Sequence, residues 1–174
     1  MRGDAEMVVL VDERDRETGV AEKLAAHREG RLHRAFSVFV FDQAGSLLLQ
    51  RRADGKYHSA GLWTNTCCSH PRPGEAVEDA AHRRLAEEMG FDCELRPAFT
   101  FVYRADFPDG LVEHELDHVL VGRWSGSPAP DAEEVGGWRW AAPGELLREM
   151  EADPEAFTHW FRIALPELLE RQGS

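Results

Sequence analysis

The sequence predicts an α+β fold with mixed β-sheets packed between α-helices, and three observations carry that expectation. Runs such as Arg34–Phe41 are rich in aromatic and β-branched residues, while Phe99, Phe101 and Tyr103 alternate along another run, as strands do. Glu75–Met89 carries Val77, Ala81 and Leu85 at a spacing of four and closes on Gly90, a helix with a stop signal. The order runs strands, helix, strands, helices, rather than a regular alternation of strand and helix.

Element by element, Val8–Val11 reads as a short buried strand and Glu13–Thr18, closing on Gly19, as a turn. Ala21–Ala26 is either a short helix or an irregular segment. Arg34–Phe41 is a long strand, Asp42–Ser46 supplies a turn, and Leu47–Gln50 returns as its partner strand. Arg51–Thr66 holds Gly, Lys and Trp without periodicity and reads as an extended loop, and Pro71, Pro73 and Gly74 keep the chain irregular until the helix. After the Phe99–Tyr103 strand, Pro108-Asp109-Gly110 turns into an alternating strand at Leu111–Val121. Ser125–Ala132 is a loop, Trp138–Trp140 a short strand, and Pro143–Met150 and Pro154–Arg171 are helices.

Length and composition, 174 residues that are 43% hydrophobic and 30% charged, fit one globular domain over 1–174 with a sizeable core. A net charge of -12 disfavours nucleic acid as a partner, because phosphates recruit basic patches. No apolar run reaches the roughly 18 to 20 residues that cross a bilayer, so no membrane insertion is expected. Met1–Asp15 lacks the apolar middle of a signal peptide. The three cysteines include the adjacent Cys67 and Cys68, a poor arrangement for a disulfide framework, which points to a reducing, cytoplasmic setting. A monomer is expected.

Glu87 and Glu88 lie in the last turn of the Glu75–Met89 helix, where the helix dipole disfavours each negative charge by ~0.3 to 1 kcal/mol. A solvated face with Arg83–Glu87 and Arg84–Glu88 pairs explains them, and so does a divalent cation held by oxygen ligands. The helix by itself leaves the choice open. With its lead-in, the stretch resembles a Nudix box: Gly, five residues, Glu, seven residues, Arg-Glu, an apolar residue, any residue, Glu-Glu, any residue, Gly. Glu75, Arg83, Leu85, Glu87, Glu88 and Gly90 match, while Ser69 replaces the leading Gly and Arg84 the Glu after the Arg. That missing Glu usually holds the magnesium of pyrophosphate hydrolysis, so the box supports the fold more than hydrolase activity.

The run Trp63-Thr64-Asn65-Thr66-Cys67-Cys68-Ser69-His70-Pro71 resembles the Trp-Thr-Asn, two residues, Cys, any residue, His-Pro signature of type I isopentenyl-diphosphate isomerases. Free cysteines are usually small core residues, and this is the reading for Cys67. The resemblance makes Cys68, two before His70, the catalytic cysteine. It spans about Val8 to Trp160 and includes Thr18-Gly19, Glu22-Lys23, Leu32-His33, Ala35-Phe36-Ser37, Tyr103-Arg104 and Ala156-Phe157.

Along the Leu111–Val121 strand, Leu111, Glu113, Glu115 and Asp117 face one way and Val112, His114, Leu116 and His118 the other. Neighbouring carboxylates on one face repel unless a proton or cation is shared. The resemblance carries His27, His33, His70, Glu113 and Glu115 to a manganese or zinc site, and such nitrogen and oxygen donors suit either ion. His58, His82, His114, His118 and His159 read as surface or capping residues. The resemblance also implies that Lys23, Arg52, Lys56 and Arg84 bind a small diphosphate substrate. Magnesium accompanies that diphosphate, held by Glu88 and the backbone carbonyl of Cys68.

The implied chemistry moves a carbon–carbon double bond by protonation and deprotonation through a tertiary carbocation. Cys68 and Glu115 would act from opposite faces, Tyr103 would assist protonation, and Trp160 would offer its ring to the cation. Water has to be excluded, so the C-terminal helix bearing Trp160 is expected to act as a lid. Two rivals remain: a Nudix pyrophosphohydrolase, against which Arg84 speaks, and a non-catalytic metal-binding domain, which has no need of Cys68 beside four cations.

Overall fold

The computed structural model of the chain describes residues 6–56 and 59–173. His58 lies outside the described residues. Among the described residues, nine strands and four helices follow in the order β1 (Met7–Val11), β2 (Glu17–Glu22), α1 (Lys23–Glu29), β3 (His33–Phe41), β4 (Leu47–Arg52), β5 (Trp63–Thr64), β6 (Cys67–Ser69), α2 (Val77–Met89), β7 (Leu95–Asp106), β8 (Val112–Arg123), β9 (Val135–Ala141), α3 (Pro143–Ala152) and α4 (His159–Gln172).

β3 is the organising strand. Its residues 33–41 are paired in parallel with residues 115–123 of β8 along one edge. The other edge is shared by β1 at His33, β6 at Phe36–Val38 and β4 at Phe41. β3 is apolar on both faces because both are covered. Phe36, Val38 and Val40 pack with Leu85, Met89 and Ala81 of α2. Phe39 and Phe41 pack with Leu146 of α3 and Phe161, Leu165 and Leu168 of α4. The mixed sheet between helices is the expected α+β architecture.

Several expectations need correction. Leu47–Gln50 does not return along β3: the two strands share only the Phe41–Leu47 pair, and β4 pairs instead with β9 and β5. The physical reason is Thr66, whose Oγ1 accepts from Val40 N at 2.9 Å and donates to Leu48 O at 2.7 Å. One buried hydroxyl satisfies the two backbone groups where the strands part, and β6 takes the edge that β4 vacates. The Glu13–Thr18 turn is shorter, since β2 begins at Glu17 and pairs Gly19 with Leu10. Ala21–Ala26 resolves into the end of β2 and the start of α1.

Another correction concerns Pro154–Arg171. It is a 3-10 turn at Pro154–Ala156, an extended Phe157 and then α4. Thr158 N bonds Trp63 O at 3.1 Å, and Phe157 bridges Trp63, so β5 captures the chain and restarts the helix at His159. α4 is also not a lid. Phe161, Ala164 and Leu165 are fully buried, and removing such a helix would expose a core face. Gly90 ends α2 with φ +75, and a Cβ there would meet Ala129 O at 2.3 Å, so the stop signal is also a packing constraint. Among the described residues no helix is long and apolar enough to cross a membrane.

Candidate active site

The register of β8 builds the site around Glu115. Its partner on β3 is His33 and its partner on β7 is Tyr103, so both flank it on one face of the sheet. Tyr103 Oη donates to Glu115 Oε1 at 2.5 Å. On Glu115 Oε2 converge the Nε2 atoms of His70 at 2.8 Å, His33 at 3.1 Å and His27 at 4.0 Å. His70 arrives on the segment after β6, and His27 from the last turn of α1.

The tautomers are set from behind. His27 Nδ1 donates to Lys23 O at 2.7 Å and His33 Nδ1 to Arg31 O at 2.9 Å, because a carbonyl only accepts. In the neutral rings the Nε2 lone pairs then face a carboxylate oxygen, an arrangement that requires a proton or a cation between acceptors. Burial opposes charge on both partners. Even so, His70 and His33 hold Glu115 well below the usual carboxylate range, and Glu115 in turn raises His33. Burial pushes His70 down to about 3, with His33 contributing to the fall because adjacent imidazoliums repel. The ligand atoms of His27, His33, His70 and Glu115 all lie within 4.8 Å of one another, which fits one divalent metal. Glu113 stands outside that foursome, 3.4 Å from Tyr103 Oη, and burial with the Glu115 charge raises it to about 8.

A cleft of about 530 Å³, open mouth included, lies beside this cluster. Lys23, Arg52, Lys56 and Arg84 all line it, together with Cys68, His70, Glu88, Glu113, Glu115 and Trp160. Tyr103 lies behind it, reaching the cleft through Glu115. Lys23 pairs with Glu6 at 3.2 Å, and Lys56 with Glu134 at 2.5 Å. Arg84 bonds Glu87 at 2.9 Å and Glu88 at 2.6 Å; Glu87 is on the solvated face, and Glu88 is 4% exposed in the cleft wall.

β6 separates the adjacent cysteines. Successive strand residues point to opposite faces, so Cys67 enters the α2 side of the core while Cys68 faces the cleft and the α4 side. Burial pushes the Cys68 thiol up to about 12, against the pull of Arg52, whose Nη1 lies 3.9 Å from Sγ. This thiol keeps its proton at neutral pH.

The remaining signature residues are scaffold. Asn65 Nδ2 donates to Val38 O at 3.1 Å and Cys67 O at 2.8 Å, and its Oδ1 accepts from Trp160 Nε1 at 3.1 Å. Asn65 thereby ties the strand that carries Cys68 to the indole across the cleft. Arg52 lies 5.4 Å from the Trp160 ring centre, a cation already on its face.

Sequence reasoning left Asp117, Glu134, Gln50 and Ser37 without roles. Asp117 was legible, since the period-two face of β8 continues from Glu113 and Glu115; it lines the cleft and accepts from Ser37 Oγ at 2.8 Å. Glu134 follows a Ser/Pro loop and gives no signal in the chain. Of the histidines set aside, His114 caps the Gly30 carbonyl at 3.1 Å, His118 bonds Asp15 at 2.8 Å, and His82 pairs with Asp92 at 2.6 Å. His159 packs edge-on to Phe107.

The NUDIX domain family matches residues 31–161. A protein of Burkholderia multivorans named isopentenyl-diphosphate Delta-isomerase is 58% identical over 168 residues, 97% of this chain and 93% of that protein. One of Aromatoleum aromaticum, named isopentenyl-diphosphate Delta-isomerase 2, is 53% identical over 164 residues, 94% of this chain and 87% of that protein. Among solved structures, a protein of Deinococcus radiodurans superposes with a TM-score of 0.80 at 23% identity, covering 94% of this chain and 99% of that one, a likeness of fold.

Proposed function

The chain belongs to the isopentenyl-diphosphate Delta-isomerase family built on the NUDIX domain, and from that premise we propose that it converts isopentenyl diphosphate to dimethylallyl diphosphate. The observation that carries this reading is a single cleft. A protonated thiol and an ionised carboxylate share it with four cations, a hydrocarbon end and a diphosphate end of one site. The domain acts as a cytoplasmic monomer over 1–174.

The diphosphate is bound by Lys23, Arg52, Lys56 and Arg84, the arginines through paired contacts and the lysines as point charges. Cys68 donates a proton to one face of the substrate's double bond, leaving a tertiary carbocation. Glu115 removes a proton from the allylic methylene on the opposite face, and Tyr103 holds its Oε1 by a hydrogen bond meanwhile. Trp160 presents its ring to the cation, an attraction of about 2 kcal/mol in a desolvated site. Phe36 and Trp160 keep water from capturing the cation as an alcohol. When bound, magnesium at Glu88 and the Cys68 carbonyl would neutralise the diphosphate, while manganese or zinc at His27, His33, His70, Glu113 and Glu115 would tune the Glu115 carboxylate.

The test is incubation with isopentenyl diphosphate and magnesium in deuterated water, followed by NMR. Deuterium-labelled dimethylallyl diphosphate is expected. Phosphate release without double-bond movement would replace this reading with a NUDIX hydrolase.

A further inference from the structure

Glu88 sits at the end of α2, yet its carboxylate is fixed by residues from two strands. Gln50 of β4, 2% exposed, donates from Nε2 to Glu88 Oε1 at 3.1 Å. The same Nε2 donates to Thr66 O at 2.9 Å, and since a carbonyl only accepts, this contact decides which end of the amide faces Glu88. Cys67, pointing away from the cleft, donates its thiol hydrogen to the same Oε1 at 3.6 Å. On the other oxygen, Oε2, the partner is Arg84 Nη2 at 2.6 Å.

A carboxylate oxygen accepts about two hydrogen bonds. Two donors therefore saturate Oε1, and Oε2 keeps one acceptor position beside Arg84. We propose that Gln50 and Cys67 are positioning residues that make Glu88 a one-oxygen ligand, presenting only Oε2 to a divalent cation. This inference rests on the magnesium role proposed above for Glu88. A one-oxygen carboxylate suits magnesium, which demands near-ideal octahedral geometry and leaves positions for waters and substrate phosphates. Calcium tolerates a two-oxygen carboxylate and irregular geometry. The Gln50–Cys67 pair therefore selects the smaller ion. It also places the cation next to Arg84, so that metal and guanidinium meet the same diphosphate.

The experiment measures calorimetric binding of isopentyl diphosphate, the saturated, non-reacting analogue, to full-length protein in magnesium or in calcium. Native protein should bind more tightly with magnesium. Gln50→Leu and Cys67→Val should each lower the magnesium-to-calcium preference by about 10-fold, the usual scale for a lost partner of a metal ligand. Cys67→Ser, whose hydroxyl donates to Oε1, should restore the native preference. Gln50→Leu leaves Thr66 O without its partner; if it fails to fold, the Cys67 pair decides the matter. An unchanged preference in Cys67→Val, or equal preferences in Cys67→Val and Cys67→Ser, overturns the proposal. Native protein that binds the analogue without any divalent cation would instead remove the magnesium role of Glu88.

Discussion

Tyr103 stands directly opposite Glu115 across β7 and β8, and its hydroxyl donates to Oε1 over 2.5 Å while the imidazoles occupy Oε2. The two oxygens of one carboxylate are thus held by different chemistry: a phenol on one side, a nitrogen cluster on the other. Burial and the surrounding carboxylates keep the phenol protonated far above neutral pH, so it acts as a permanent donor.

Tyr103→Phe removes a bond to a charged acceptor, worth about 1.5 to 3 kcal/mol, without changing the bulk of the ring. Turnover should fall by about 10- to 150-fold, with a small change in KM. Glu115→Gln should nearly abolish turnover. A Tyr103→Phe enzyme with native kcat would remove the hydroxyl from catalysis, and steady-state kinetics read the difference.

Because β6 turns only Cys68 towards the cleft, Cys68→Ala should cost turnover far more than Cys67→Ala does at saturating magnesium. The reverse order would show that the cysteine assignment is displaced by one residue.

The Cys68 thiol also makes a pH prediction. A proton donor fails as pH rises through its own pKa, and burial raises this one to about 12 from the ordinary range near 9. The basic limb of the kcat profile should therefore not fall at the ordinary thiol value, and kcat should hold between about pH 8 and about pH 10. Alkylation by iodoacetamide at about pH 8 should likewise be slower than for a free thiol. A basic limb near 8.5 in the native protein that vanishes in no other variant than Cys68→Ala would contradict the burial argument.

Metal content separates the two cation roles. Elemental analysis should find about one tightly held transition metal per chain, lost in His33→Ala and His70→Ala, with magnesium required in addition. Chelation should abolish activity, and manganese or zinc should restore it. A fully active metal-free preparation would dismiss the nitrogen site as a metal centre.

Arg84 tests the diphosphate site. Arg84→Ala should raise KM for isopentenyl diphosphate more than it lowers kcat, by the loss of a charge-assisted contact of about 1.5 to 3 kcal/mol. Arg84→Glu should be worse, because repulsion is added beside Glu88, and it should release no phosphate. An unchanged KM in Arg84→Ala would take Arg84 out of the diphosphate site.

The sequence by itself determined the elements with one strong local cause. The four-residue spacing and Gly90 define α2, the aromatic and β-branched run defines β3, and the period-two face of β8 aligns Glu113, Glu115 and Asp117. Its motif from Trp63 to Pro71 pointed to the family, because Cys68 and His70 occupy fixed positions in it. Only the tertiary structure decided where the long-range groups meet. Hydrogen-bond register across β3 and β8 places His33 against Glu115, which are 82 residues apart, and no spacing along the chain encodes that pairing. The parting of β3 from β4 depends on the Thr66 hydroxyl, and the break before α4 on the Trp63 carbonyl. Local propensity favours the simpler hairpin and the longer helix; buried backbone groups that need partners override it. Gln50 and Glu134 were invisible for the same reason, since each becomes a partner of Glu88 or of Arg84 and Lys56 only when strand, loop and helix close on one cleft.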